Sequence, residues 1–417
     1  MKPLQLGLRA NLGQFTLLAL DNVFVGMLVG SERAVVPLVG EQSFAVSSTA
    51  LLLAFVVAFG FIKGPLNLVA GRLADRWGRR NVLLAGWVFG LPVPWMLLFA
   101  PSWVWIVAAN VLLGANQGFA WSMTVTSKVD LVGRSQRGLA LGINEFSGYI
   151  GVAIASAVTG ALAATYGLRP APFIFAAIVA VMGFLLVLLV RETTPFVHLE
   201  QKTYGGAVPS AAQPMREIFA DVTWRDKTLR ACSQAGCINK FSDAAIWVLL
   251  PLGMAAQGWN AAAIGAVAGT YAASWGIAQL GTGALSDRFG RKPAIVAGLV
   301  LDACGLAVAG IASALAIWFA AALLAGIGTA LLYPVLLAVV SDVAPPVSRG
   351  TALGVYRLWR DGGYAAGGLV IGLFAARLDL GATFMTVAAL LAISAGLAQL
   401  WMQETCTRLA VTQGHAA

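Results

Sequence analysis

The sequence predicts an all-α integral membrane protein whose twelve transmembrane helices form two pseudo-symmetric six-helix bundles. Three observations carry this. First, 59% of the 417 residues are hydrophobic and only 11% are charged, with 47 glycines besides. A water-facing surface of this size needs about twice that charge, so a soluble enzyme is excluded, and an apolar content this high excludes disorder. Second, apolar spans long enough to cross ~30 Å of hydrocarbon recur with short polar breaks. Third, the second half of the chain repeats the first.

The spans run near 12–38, 48–70, 81–100, 102–127, 138–165, 171–190, 232–256, 260–283, 293–312, 314–340, 351–376 and 381–402. Lys2 and Arg9 precede the first span as in a signal peptide. That span lacks a small-residue cleavage pattern and is followed by eleven more, so it reads as a retained helix. One longer polar stretch, 191–231, contains GGAVPSAAQP and mixed charge. It divides the chain into an N-terminal bundle (1–190), a central cytoplasmic loop (191–231) and a C-terminal bundle (232–417).

An offset of 212 residues relates the halves. GRLADRWGRR at 71–80 matches GALSDRFGRK at 283–292, and the same offset places Asp130 on Asp342, Arg137 on Arg349, Gly142 on Gly354 and Glu192 on Glu404. One offset held from the second span of each half to the sixth implies duplication of a six-helix unit, a common origin of transporter folds.

Topology follows from counting. With the N-terminus, the 71–80 and 283–292 loops, 128–137, 191–231, 342–350 and the C-terminal tail on one side, that side holds 20 of the 27 basic residues and the other holds Arg169 and Arg377. The positive-inside rule makes the basic side cytoplasmic, with both termini there; the expected location is the plasma membrane, as a bacterial inner membrane. The formal net charge of +9 is then an orientation signal and does not call for nucleic acid.

Cys232, Cys237, Cys304 and Cys406 form no CxxC, and with His198 and His415 they show no metal-ligand spacing. No metal or other cofactor is expected. No P-loop and no nucleophile elbow occur, so the chain reads as a non-enzyme without its own nucleotide-driven motor.

Gly71-Arg72-Leu73-Ala74-Asp75-Arg76-Trp77-Gly78-Arg79-Arg80 resembles the loop signature of the major facilitator superfamily, and Gly283 to Lys292 is similar to its second, degenerate copy between the eighth and ninth spans. The resemblance covers the whole chain in helix count, central loop and repeat. It implies a gradient-driven carrier whose bundles rock about a central cavity, with the loop motif as a cytoplasmic latch. Carried onto this chain, Gly71, Asp75, Arg76, Gly78 and Arg79 would form that latch, with Asp75 facing the N-terminus of the eleventh span near Gly350 and Arg79 pairing with Asp130. Asp287, Arg291 and Asp342 would repeat it. Two features depart from the drug-exporter branches: Asn110 stands where an arginine is usual in the fourth span, and NEFSGYIGVA in the fifth lacks the proline of the antiporter run.

Eleven charges fall inside spans, where each costs several kcal/mol unless it faces a cavity or a partner. They are Arg33, Lys63, Lys240, Arg357 and Arg360 against Asp21, Glu32, Glu145, Asp243, Asp302 and Asp361. Lys240 and Asp243, three apart, share a helix face and also fit a structural ion pair. Arg357, Arg360, Asp361 and Tyr364 form one stripe. The resemblance implies that all but Asp302 lie on cavity-lining helices.

Proton coupling needs a carboxylate whose proton occupancy depends on conformation. Glu32 and Glu145 are the first candidates, followed by Asp21 and Asp361. Arg357 and Arg360 can offer forked donors to a carboxylate or phosphate, with Lys63 and Arg33 opposite. Lys240 and Asp243 complete the charged wall, and Asn116, Gln117, Trp121 and its repeat counterpart Tyr333 could supply polar and apolar walls. The expected function is secondary active transport of a small, anionic organic solute coupled to protons, by a monomer in the lipid bilayer. A drug or cation exporter using Asp21, Glu32 and Asp361, or a receptor that no longer transports, are the alternatives.

Overall fold

The computed structural model describes residues 4–133, 136–204, 214–345 and 348–406, which are helical with no strand among them. Lys2, Arg134, Arg408, His415 and most of the GGAVPSAAQP stretch lie outside the described residues. The first six long helices are α1 (Leu12–Ser43), α2 (Thr49–Trp77), α3 (Arg79–Leu98), α4 (Trp103–Val132), α5 (Arg137–Tyr166) and α6 (Ala171–Leu188). The second six are α7 (Lys227–Ala256), α8 (Ala261–Phe289), α9 (Arg291–Gly310), α10 (Leu315–Val343), α11 (Arg349–Ala375) and α12 (Leu380–Trp401).

Ten of the twelve are long and apolar enough to cross a membrane by composition alone. The other two, α7 and α11, are 30 and 27 residues long and carry Lys240 and Asp243, and Arg357, Arg360 and Asp361. Packing against ten apolar neighbours supplies what their own hydropathy does not.

The polar stretch 191–231 is not a plain loop. Thr194–Tyr204 and Met215–Ala220 are helical, a π-helical turn covers Asp221–Arg225, and α7 begins at Lys227, five residues before the expected start. The early start has a local cause: the Asp226 side chain accepts from the Leu229 amide at 2.8 Å and caps the helix. Ile218 and Val222, one turn apart, are buried, and their spacing is hard to read among the surrounding charges.

Small residues set the helix spacing. On α1, Gly26 and Gly30 lie against the backbone of Gly148 and Val152 on α5, with no room for a Cβ. Between the bundles, a Cβ at Gly160 of α5 would sit 2.8 Å from the Gly265 Cα of α8, and one at Gly60 of α2 would sit 2.5 Å from the Ala365 nitrogen of α11. Further along the same helices, Gly71, Gly142, Gly281, Gly283 and Gly350 meet nothing within 4 Å. The bundles therefore converge at the end bearing the 44–48, 167–170, 257–260 and 376–379 turns, and part toward the end bearing the arginine-rich motifs. A cleft opens at that basic end.

Candidate functional site

At the closed head of the cleft the two bundles share one ion. Arg33 of α1 donates to Asp243 of α7, which also accepts from Lys240 Nζ at 2.9 Å and from the Tyr364 hydroxyl of α11. Arg33, Lys240 and Asp243 are each no more than 4% exposed. Rings complete the seal: the Arg33 guanidinium lies 4.6 Å from the Trp247 ring, Lys240 Nζ lies 4.4 Å from Trp275, and Trp275 stacks on Tyr149 of α5 at 3.7 Å. One carboxylate held by two cations and a hydroxyl is fully satisfied, which buried charge requires.

Below this plug, Lys63 of α2 is half-buried among the rings of Phe59, Trp121 and Tyr364, at 5.3, 5.7 and 5.7 Å. Arg360 of α11 lies 3.9 Å from the Tyr333 ring and pairs with Asp361 at 2.7 Å, and Asp361 also accepts from Asn67 of α2. Glu145 of α5 accepts from the Trp121 indole at 3.0 Å and from Asn144 at 3.1 Å. Arg357 is half-buried, with its Nε unpartnered. Neither Lys63 nor Arg357 has a described carboxylate within ion-pair distance, and Glu145 has no such cation.

The offset of 212 organises this wall. It pairs Glu145 with Arg357, Lys63 with Trp275, Asn67 with Gln279, Tyr149 with Asp361 and Trp121 with Tyr333. A duplicated scaffold has kept the positions and changed their chemistry, so opposite faces of the cleft carry unlike groups.

Four expected wall residues point elsewhere. Asn116 donates to the Gly86 carbonyl of α3 at 3.0 Å and Gln117 to the Val25 carbonyl of α1 at 2.9 Å, so both turn into the N-terminal bundle. The cause is a π-helical turn over Gln117–Trp121, which adds a residue and rotates the faces on either side. Trp121 reaches the cleft; Asn116 and Gln117 do not. Asp21 accepts from the Trp87 indole of α3 at 2.9 Å and Glu32 from Asn110 of α4 at 2.9 Å, both behind the cleft wall. Glu32 does not meet Arg33, which has turned to Asp243.

Lys128, assigned by sequence to the basic surface, is fully buried in α4 and donates to Asn144 at 2.6 Å. Its position beyond Trp121 and Thr124 on one helix face was the available signal. Asn67, Asn144, Tyr149, Trp247 and Trp275 were also missed, because uncharged side chains in apolar spans carry no alarm. Asp302, off the cavity as expected, accepts from Ser242 at 2.6 Å and Asn239 at 3.0 Å.

At the basic end the repeated motif makes two matching brackets. Arg79 Nε lies 3.1 Å from Asp130, and Thr193 donates to the same carboxylate at 2.9 Å; Arg291 Nε lies 2.6 Å from Asp342, with Thr405 at 3.1 Å. Glu192 accepts from the amides of Arg79 and Arg80, and Glu404 from those of Arg291 and Lys292. Gly78 (φ +84°) and Gly290 (φ +101°) supply backbone turns that L side chains avoid. Burial pushes the Glu192 carboxyl up, but hydrogen bonds from Thr194 and from the Arg80 and Arg79 amides outweigh it and hold it below its ordinary value.

Asp75 departs from expectation. It pairs with Arg79 one turn on, at 2.9 Å, with 71% of its side chain exposed, while Gly350 at the head of α11 has open space around it. The reason is the parting of α2 from α11 at this end. Asp287 likewise pairs with Arg291 at 3.2 Å, and Arg76 is exposed.

Comparison with known proteins matches this architecture. The model of the Major Facilitator Superfamily matches residues 22–239 and 232–411. An uncharacterised MFS-type transporter of Salmonella typhimurium is 25% identical over 91% of this chain and 94% of its own length. A class E tetracycline resistance protein of Escherichia coli is 26% identical over 81% of this chain and 80% of its own. Among solved structures, a D-xylose-proton symporter superposes with a TM-score of 0.73 at 17% identity, covering 94% of this chain and 98% of that one. A nucleoside transporter also scores 0.73 at 13% identity, covering 94% and 100%. The two-bundle fold, the repeated arginine motif and the family match over both halves agree: the chain belongs to the major facilitator superfamily and is a multi-pass membrane transporter of small-molecule solutes.

Proposed function

We propose that the chain moves a small organic anion by alternating access, coupled to protons. The observation that carries this is the charge left over on the cleft wall. Arg33 and Lys240 are held by Asp243 and Arg360 by Asp361, while Lys63 and Arg357 have no carboxylate and sit half-buried in the opening. Cations left unpaired within a low-dielectric bundle cost several kcal/mol, which an anionic solute would offset on binding. The protein would act as a monomer, with both termini and the open end of the cleft on the cytoplasmic side of a bacterial inner membrane, as the positive-inside rule directs.

Glu145 is the proposed proton carrier. It lies in the cleft wall, accepting hydrogen bonds from the neutral donors Trp121 and Asn144 and facing no described cation at ion-pair distance. Asp361 is held by Arg360. Asp21 and Glu32 lie behind the wall, where a proton would reach them only through the packed bundle.

A second reading is export of an amphipathic drug. It draws on the relatives named as tetracycline and multidrug resistance proteins and on the Trp121, Tyr149 and Tyr333 rings. Thermal-shift screening of purified protein at about pH 6 and about pH 8, against anionic metabolites and cationic drugs, separates the two, because a ligand of the folded state raises its apparent stability. Stabilisation by anions, lost in Lys63→Met and Arg357→Leu, supports the first reading. Stabilisation by cationic drugs alone overturns it.

A further inference from the structure

Gln279 of α8 is 4% exposed, and neither end of its amide has a hydrogen-bond partner. A glutamine amide offers two donors and two acceptors, and leaving them buried and unpaired is costly, whereas a leucine of similar size would cost nothing. The repeat explains how the vacancy arose. At the offset of 212 its counterpart is Asn67, whose amide donates to Asp361 and accepts from Ser122 at 3.0 Å. The positions matching those two partners hold Tyr149 and Pro334, and neither makes a hydrogen bond to Gln279. Gln279 shares a helix face with Trp275, one turn nearer the plug, whose indole nitrogen is also buried and unpartnered. On α11, Arg360 has a third such donor, Nη2. That face of α8 borders the plug at the head of the cleft, since Trp275 stacks on Tyr149 and lies over Lys240.

We propose that Gln279 is a specificity-determining residue: its amide, with the Trp275 indole, binds a neutral polar group on the solute, while Lys63 and Arg357 take the charge. The solute class is then an anion bearing a separate hydroxyl or amide, such as a hydroxylated carboxylate, in preference to a plain alkyl acid. This rests on the anionic reading above.

The test uses purified full-length protein at fixed ionic strength and matched probe pairs: glycolate and acetate, lactate and propionate, tartrate and succinate, gluconate and hexanoate. In at least one pair the hydroxylated member is expected to raise the melting temperature of the wild type more than its partner, and Gln279→Leu is expected to level the two. Lys63→Met should remove both shifts. Ligand-free Gln279→Leu should melt about 2 °C higher than wild type, because an unpaired amide is gone, whereas Asn67→Leu should melt lower. Equal shifts within every pair, or a fall in the melting temperature of ligand-free Gln279→Leu, overturn the assignment of Gln279 alone. No shift with any probe overturns it together with the anionic reading.

Discussion

Arg33 on α1 and Asp243 on α7 form the one ion pair that joins the two bundles among the described residues, and it sits where the helices converge. Lys240 and Tyr364 hold the same carboxylate from α7 and α11. Closure of this end is therefore an electrostatic event as well as a packing one: parting the bundles requires Arg33 to leave a buried carboxylate.

The two members of that pair differ in what their loss leaves behind. Arg33→Met leaves Lys240 with Asp243, a balanced pair, while Asp243→Asn strands two buried cations. Asp243→Asn should cost about 3–5 kcal/mol and Arg33→Met distinctly less, read from melting of the purified proteins. Spin labels at Gln42 and Ala256, both exposed at the closed end, should report a longer distance in Arg33→Met. An unchanged distance would show that packing alone holds this end shut.

Glycine positions on α5 and α8 should divide by depth. Gly160→Val drives a side chain into the α8 backbone at Ala261 and Gly265 and should part the closed end, lengthening the same spin-label distance. Gly142 and Gly281 have open space in this conformation, so Gly142→Leu and Gly281→Leu should fold with unchanged melting temperature and resist closure of the basic end. Cysteine accessibility within the cleft is the readout, and a loss of fold in both variants would contradict the open geometry.

The two arginine brackets should be unequal. Arg79 and Asp130 have side chains 10% and 11% exposed, Arg291 and Asp342 15% and 32%. Asp130→Asn is expected to cost about 2–4 kcal/mol, Asp342→Asn nearer 1 kcal/mol, and Asp75→Asn, exposed in this conformation, under about 0.5 kcal/mol. Equal costs for the first two would mean that burial is not what strengthens the pair.

Glu192 gives a pH signature outside the membrane. Its carboxyl titrates below the ordinary 4.5 in the folded protein, so its stabilisation is present above that value and is lost as pH falls through the lower, folded one. Wild type should melt above Glu192→Gln at neutral pH, with the gap shrinking once the pH drops below about 4. A gap that stays constant with acidification would assign the effect to packing.

Much of the fold was legible in the sequence because the bilayer imposes length and apolarity on every span and one offset exposes the duplication. Even α7 and α11, despite their charges, read as apolar runs near 232–256 and 351–376. The site was legible in part. Charges advertise themselves in apolar spans, so Lys63, Glu145, Arg357 and Arg360 stand out as candidates, and the structure gathers them along the cleft wall. Lys128 was misplaced because it lies near a span end, where one or two turns decide between surface and interior.

The sequence by itself determined the class of the protein, the count and pairing of its helices, and the arginine motifs that mark one end as basic. Tertiary structure alone decided which charges meet. Arg33 chose Asp243 on another helix over its neighbour Glu32, and the π turn in α4 sent Asn116 and Gln117 away from the cleft that Trp121 lines. Both outcomes depend on helix rotation and bundle spacing, which a short-range sequence pattern does not encode: a single inserted residue turns a face by roughly 100°, and a partner 210 residues away is set by how two bundles dock.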